Sequence, residues 1–289
     1  MSVQSVDLRP LKAGEILDRA FRLYRAKFWF LIRVTGTLLG PFLILKLLSL
    51  FIFRNITYIS YIQIFLADYL LSGAMIWATS HAYLGGNTSI MDAYRRSRRY
   101  FKLIIGAGFL SSISYIHYAV VSMIFASFLQ GRNVTIGVQI LYAVIIFVGG
   151  PCLLFFQTRL WFAVPAVMLE DLNIRKSLKR TWHLTSQDFW HVLVVAIASI
   201  LLGYLLDWLP TYMIYSLIRF FIQAFGAAPQ INTALSLVVN QLGLIIFTPL
   251  FVCIRIIMYY DLRVRREGYD LELALQPTSE TLDITHESI

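Results

Sequence analysis

Charge is scarce in this 289-residue chain. Asp, Glu, Lys and Arg make up only 14% of it, which excludes an ordinary soluble domain, where about a quarter of the residues are charged. Acid is the scarcer kind: 16 Asp and Glu stand against 25 Lys and Arg, a formal net charge of +9. Cysteine is nearly absent. Cys152 and Cys253 both fall in apolar runs, in no metal-ligand or disulfide spacing, and read as small buried hydrophobes. A cleavable signal peptide is not expected, because the first apolar run opens only near Phe28 and no small-x-small cleavage pattern follows a short apolar core. GxSxG, HExxH, the Walker loop and the dinucleotide fingerprint are all missing. The polar stretches between apolar runs are too short for a soluble catalytic domain, so the expectation is a non-enzyme with no cofactor and no metal.

What the chain has in quantity is apolar surface. Hydrophobic residues make up 58% of it and its mean hydropathy is +0.68, more than a fold of this size can bury, so the bilayer must solvate most of it. The cations are not spread out. Of 25 Lys and Arg, 18 fall in four clusters: six at 9–27, five at 95–102, four at 175–180 and three at 263–266. Clusters beside apolar runs mark cytoplasmic juxtamembrane segments, not a nucleic-acid groove.

Three of these clusters share a frame. Residues 16–29, 90–102 and 173–190 are basic, carry aromatics and run straight into apolar sequence. Ala20-Phe21-Arg22 aligns with Ala93-Tyr94-Arg95 and Thr181-Trp182-His183, and five residues later Phe28 aligns with Phe101 and Phe189. Each copy precedes enough apolar sequence for two spans. The expected fold class is an all-α integral membrane protein, with six transmembrane helices as three repeats of a basic amphipathic helix plus a transmembrane hairpin. The units are 11–86, 87–172 and 173–266 of one membrane domain, 1–277, and residues 278–289 are expected to be a disordered tail.

In the first helix, about 11–27, Ile16, Leu17, Ala20, Phe21, Tyr24 and Phe28 recur at three- and four-residue spacing and so share a face. Ser89 to Asp92 fits a capping box opening the second helix, and Asn173 an N-cap for the third. The spans are expected at about 28–53, 58–80, 103–128, 136–158, 189–209 and 233–259. Gly36 and Gly40 form a GxxxG pair suited to a close helix contact. Gly149-Gly150-Pro151 breaks or thins the fourth span, and Arg159 to Pro165 reads as an interfacial belt anchored by Trp161. Pro210 closes the fifth span, residues 211–226 read as a short surface helix, and the tail from Asp261 reads as polar. Both termini then lie on the cationic side. The opposite loops carry only Arg54, Arg132 and Arg219, which places both termini of a multi-pass protein in the cytoplasm.

Ionisable residues inside spans are functional candidates, because a charge in lipid costs several kcal/mol. Arg33, His81, Arg159 and Arg255 lie close enough to the cationic interface to snorkel, and Asp207 lies near the far end of its span. Lys46, Asp68 and His117 lie deeper. Lys46 and Asp68 fall on antiparallel neighbours and read either as a neutralising pair or as part of a proton or ion path, and His117 reads as a packing histidine or a ligand. On the basic helices the candidates facing lipid or a partner are Arg19, Arg22 and Arg25; Arg95, Arg96, Arg98, Arg99 and Lys102; and Arg175, Lys176, Lys179 and Arg180.

Residues Leu8 to Arg25 (LRPLKAGEILDRAFRLYR), Ser177 to Thr185 (SLKRTWHLT) and Tyr259 to Gly268 (YYDLRVRREG) resemble the bacterial glycerophosphoryl diester phosphodiesterase membrane domain proteins. In relatives that fuse such a region to a catalytic barrel, clustered His, Glu and Asp hold a divalent metal. The resemblance covers the membrane region alone, so it implies membrane architecture and carries no catalytic residue over. The functional expectation is an accessory or scaffold subunit whose amphipathic helices engage anionic membrane lipids or a larger membrane complex, with no nucleic-acid partner. A small transporter or channel between the repeats and a lipid-acting enzyme are the alternatives.

Overall fold

The computed structural model describes residues 9–64, 68–86, 88–107, 109, 144–224 and 229–275, and every regular element among them is a helix. Helix α1, Ala13–Ala26, starts where Lys12 is extended. The Glu15 carboxylate accepts the Lys12 N–H at 2.8 Å and pairs with Arg9 at 2.7 Å. These contacts hold its pKa down to about 2. After a break at Lys27, α2 runs Phe28–Phe53. Then come α3, Thr57–Ile62, and α4, Asp68–Tyr83, which ends at Gly85, whose φ of +79° suits glycine. Helix α5, Ile90–Arg99, opens on the expected box: the Ser89 Oγ accepts the Asp92 N–H at 3.0 Å and donates to the Asp92 carboxylate at 2.6 Å. Tyr100 interrupts it, and residues 101–107 continue as helix.

A π turn, Ile145–Gly149, passes into α6, Gly150–Leu160, and α7 follows, Ala163–Glu170. Helix α8, Ile174–Thr185, starts after Asn173, which holds the N-cap position without a side-chain cap bond. Then come α9, Phe189–Gly203, a π turn at Tyr204–Trp208, α10, Leu209–Ala224, α11, Pro229–Glu267, and, beyond Gly268, the short α12, Tyr269–Leu275.

Among the described residues, four helices are long and apolar enough to cross a membrane: Phe28–Phe53, Phe147–Glu170, Phe189–Phe220 and Gln230–Glu267. The first coincides with the expected span. Asp68–Tyr83 has 16 residues and starts at the edge of 65–67, so the expected span at 58–80 lies partly outside the described residues. The expected span at 103–128, with His117, lies almost wholly outside the described residues, as does the tail at 278–289.

Two sequence expectations are corrected. Pro210 does not close a span, because helix continues from Phe189 to Ala224 through the π turn just before the proline. A proline ring clashes with the carbonyl four residues back, and the wider turn opens that spot. The glycine-rich stretch 149–151 does not break its helix, which passes through the same kind of turn. Within the expected belt at Arg159 to Pro165, Trp161 is half-buried and Phe162 and Ala163 are fully buried. Among the described residues, a Cβ added at Gly36 or Gly40 of the GxxxG pair would meet nothing within 4 Å.

Burial is one-sided. In Phe28–Phe53 and Phe189–Phe220 only 17% and 19% of the apolar window is buried, and Ile44, Phe51, Leu201 and Leu205 are exposed. Lipid must solvate these faces. The core instead gathers at the cationic end, where Ile16, Ala20, Leu31, Met75, Ala93, Leu184 and Val192 pack around α11 from Leu250 to Leu262.

At 39 residues, α11 is roughly 58 Å long, about twice the thickness of the hydrocarbon layer. Pro249 sits inside it and cannot donate to the Ile245 carbonyl. Two neighbours use the freed backbone: Thr35 Oγ1 donates to the Ile245 carbonyl at 3.1 Å and Tyr24 Oη to the Ile246 carbonyl at 2.8 Å. Burial pushes the Tyr24 hydroxyl up to about 12, so it keeps the proton it donates. Both α1 and α2 are thereby registered on α11 beside Pro249.

Helices α4 and α5 meet at Gly73, where an added Cβ would lie 2.4 Å from Ser97 Oγ and 2.6 Å from Ile104 Cδ1. Ser97 cannot yield, since its hydroxyl donates to the Leu70 carbonyl at 2.6 Å. Gly73→Ala is expected to cost about 1–3 kcal/mol by overpacking, and adding Ser97→Ala should recover part of it. Unfolding in detergent measures both, and a neutral Gly73→Ala would contradict this packing.

Candidate functional site

Tyr259 to Glu267 contains neither Gly nor Pro, and its acids and bases stand four apart, so it continues α11 as helix instead of trailing off as the expected polar tail. Asp261 and Arg265 pair at 2.8 Å, and Arg263 and Glu267 at 3.4 Å. The helix stops only at Gly268, whose φ of +62° turns the chain and whose N–H returns to the Val264 carbonyl at 3.1 Å.

Asp261 is the centre of this end. Its side chain has no exposure at all, which only full hydrogen bonding makes tolerable. It accepts the Leu11 N–H at 2.6 Å and Arg265 Nε at 2.8 Å, and His191 Nε2 lies 3.2 Å away. Arg265 Nη2 also donates to the Leu11 carbonyl. One carboxylate therefore ties together the chain before α1, the first turn of α9 and α11.

A second cluster joins α7, α8, α11 and α12. Arg180 makes two forks: its Nε and Nη2 donate to Glu170 at 2.7 and 3.0 Å, and its Nη1 and Nη2 to Glu267, the latter at 2.6 Å. Burial works against the Arg180 charge, but hydrogen bonds to Glu267 and Glu170 outweigh it and raise its pKa above the usual arginine value. Tyr259 donates its hydroxyl to Glu170, and the Arg263 guanidinium stacks 3.8 Å over Tyr269. Nearby, Arg266 reaches Gln187 and pairs with Asp188 at 2.9 Å. Ser80 and Tyr260 share a hydrogen bond of 2.6 Å. Charge-assisted forks of this kind fix geometry strongly.

The sequence candidates divide into two groups. Arg96 and Arg180 turn inward: Arg96 pairs with Asp171 and lies 4.6 Å over Trp77 and 4.7 Å over Tyr100. Arg22, Arg25, Arg95, Arg98, Arg99, Lys102, Arg175, Lys176 and Lys179 are exposed, and Arg19 is half-buried. Arg159 lies among rings, 5.0 Å from Trp182 and 5.2 Å from Phe155 and Phe189, and donates to Thr185 Oγ1 at 3.2 Å.

Lys46 and Asp68 lie at the opposite end. Lys46 is buried, it interacts electrostatically with Asp68, and Gln63 hydrogen-bonds the Asp68 carboxylate. The Gln63 Oε1 is buried with no partner among the described residues.

Sequence reasoning missed Asp261, His191, Glu170 and Glu267. The signal available was the four-residue acid–base spacing after an apolar run. Among the described residues, no three His, Cys, Asp or Glu side chains converge on a metal-binding set.

Among the described residues every regular element is a helix and four are apolar and long enough to cross a bilayer, the make-up of a membrane protein. Residues 133–284 match the family described as the membrane domain of glycerophosphoryl diester phosphodiesterase. That is more than half of the chain, which belongs to this family. The match takes in the resembling stretches at 177–185 and 259–268. No curated protein and no solved structure matches the chain.

Arg180→Met would leave Glu170 and Glu267 facing each other with only Arg263 between them. Removing one partner of a buried pair costs about 3–5 kcal/mol, and the expected loss here is at the lower end because the cluster is partly exposed. Arg180→Lys should not fully rescue it, since an ammonium, with three donors on one nitrogen, cannot reproduce two planar bidentate forks. Thermal unfolding of both variants in detergent is the check, and a fully stable lysine variant would contradict the forked geometry.

Proposed function

We propose that the protein is a non-enzymatic accessory or scaffold subunit of a bacterial inner membrane. Its three basic helices engage anionic lipid or a partner in a larger membrane complex. In this reading the chain is multi-pass with both termini cytoplasmic, and six spans form three repeats of a basic helix and a hairpin. The observation that carries it is the cross-linked cationic end. Asp261, Arg180 and Arg96 spend their charges inside the protein, which fixes the basic helices in one layer with their remaining cations outward. A rigid basic layer beside a bilayer suits docking.

The repeat reading is supported by matching positions. Ala20, Ala93 and Thr181 are all fully buried. Breaks at Lys27, at Tyr100 and at 186–188 stand before Phe28, Phe101 and Phe189, each of which opens the next helix. The transporter alternative draws on Lys46, Gln63 and Asp68, a polar group on otherwise lipid-facing helices. The lipid-acting enzyme alternative would need an acid–base cluster, for which the sequence offers no motif.

Reporter fusions at residues 55, 132 and 228 are expected to report the external face, and fusions at either terminus the cytoplasm. A cytoplasmic signal from any of the three loop positions would overturn the six-span orientation. Recovery of the intact protein with a larger complex after mild solubilisation supports the subunit role, and a solitary chain under the same conditions counts against it.

A further inference from the structure

We propose that α5 and the turn after it form the principal binding face for anionic phospholipid headgroups of the protein's own bilayer. This deepens the docking reading above and rests on it for the orientation of the cationic end.

The first observation is which cations remain uncommitted. Arg98, Arg99 and Lys102 are exposed and make no ion pair among the described residues. Arg95 meets Asp92 only at 3.4 Å, with both side chains more than half exposed. On α1, by contrast, Arg22 is matched by Asp18 at 2.7 Å. On α8, Arg175, Lys176 and Lys179 occupy the first two turns, remote from the point where the chain turns into α9.

The second observation is level. Trp29 and Trp190 are the second residues of α2 and α9, and are 70% and 75% exposed. Exposed tryptophans at the first turn of apolar helices mark the headgroup region. Lys102 stands in their aligned position, directly after Phe101, and Arg98 and Arg99 lie within a turn of it. The third is rigidity. Ala93 and Ser97 are buried, Tyr94 Oη donates to the Val34 carbonyl at 2.6 Å, and Arg96 is pinned to Asp171. Helix α5 therefore cannot rotate its cations away, and a pre-organised face binds without an ordering cost. Exposed Met91 gives its outer end an apolar contact for the acyl boundary.

Charge complementarity selects the occupant. Several cations with little acid among them, at phosphate depth and held rigid, fit a sheet of anionic headgroups, where each cation favours binding severalfold.

The test uses the full chain in vesicles of phosphatidylcholine mixed with brominated phosphatidylglycerol, with tryptophan quenching as the readout of lipid preference. The wild type is expected to prefer the anionic lipid roughly fivefold or more, with the preference falling as salt rises. Arg98→Gln/Arg99→Gln/Lys102→Gln should bring the ratio to about one. Arg98→Lys/Arg99→Lys/Lys102→Arg keeps the charge and should keep the preference, which controls for misfolding. Arg175→Gln/Lys176→Gln/Lys179→Gln should change the ratio less than the α5 change does.

A wild-type ratio near one overturns the proposal, and so does an α5 variant that keeps the preference or an α8 variant that loses it equally. A cytoplasmic signal from the residue-55 reporter in the wild type would sink the orientation reading by itself, while lipid preference is decided by quenching alone.

Discussion

A carboxylate with no access to water has to find its hydrogen-bond partners inside the protein. Asp261 finds them on Leu11, His191 and Arg265, which belong to segments far apart in the chain. The rest of the cationic end follows from that demand. Helix α11 must extend beyond the hydrocarbon layer to carry Asp261 to these partners. Helices α1 and α9 must enter beside it. The surface of α11 from Val252 to Leu262 must be covered, with only Arg255 left half-buried. Thr35 and Tyr24 extend the same logic to the backbone, since each takes up a carbonyl beside the place where Pro249 cannot donate.

The two ends of the molecule meet different solvents. At the far end, apolar side chains such as Ile44, Phe51 and Leu205 face outward, which costs nothing in lipid, so the helices there need few contacts with one another. At the cationic end water is available, apolar side chains must be buried, and the chain builds a core resembling that of a soluble helical bundle. The cations divide on the same boundary. Those that meet an acid in the core, such as Arg180 and Arg96, set register, and those left outside, such as Arg98, Arg99 and Lys102, are exposed.

Much of this was legible. Apolar length alone placed α2 at Phe28–Phe53, and the Ser89 to Asp92 spacing placed the start of α5. The aligned small residues Ala20, Ala93 and Thr181 proved to be the buried seats of the three basic helices. The polar hub was not legible, because a buried acid in a helix and a solvated acid in a tail look alike in sequence. Only the partners separate them, and Leu11 and Asp261 are 250 residues apart. Pro210 misled because proline reads as a stop, whereas the π turn that accommodates it has no sequence signature. Gly36 and Gly40 matched a packing motif, and no other described residue would meet a Cβ added at either.

The central claim is that the C-terminal half of α11 is enclosed by protein, while α2 and α9 face lipid. Carbene footprinting of the native chain in bilayers, with one apolar and one water-soluble precursor, measures this without mutation. The account predicts apolar labelling of Phe28–Phe53 and Phe189–Phe220, and protection of residues 252–262 from both reagents. Apolar labelling of 252–262 at the level found for 44–53 would contradict it.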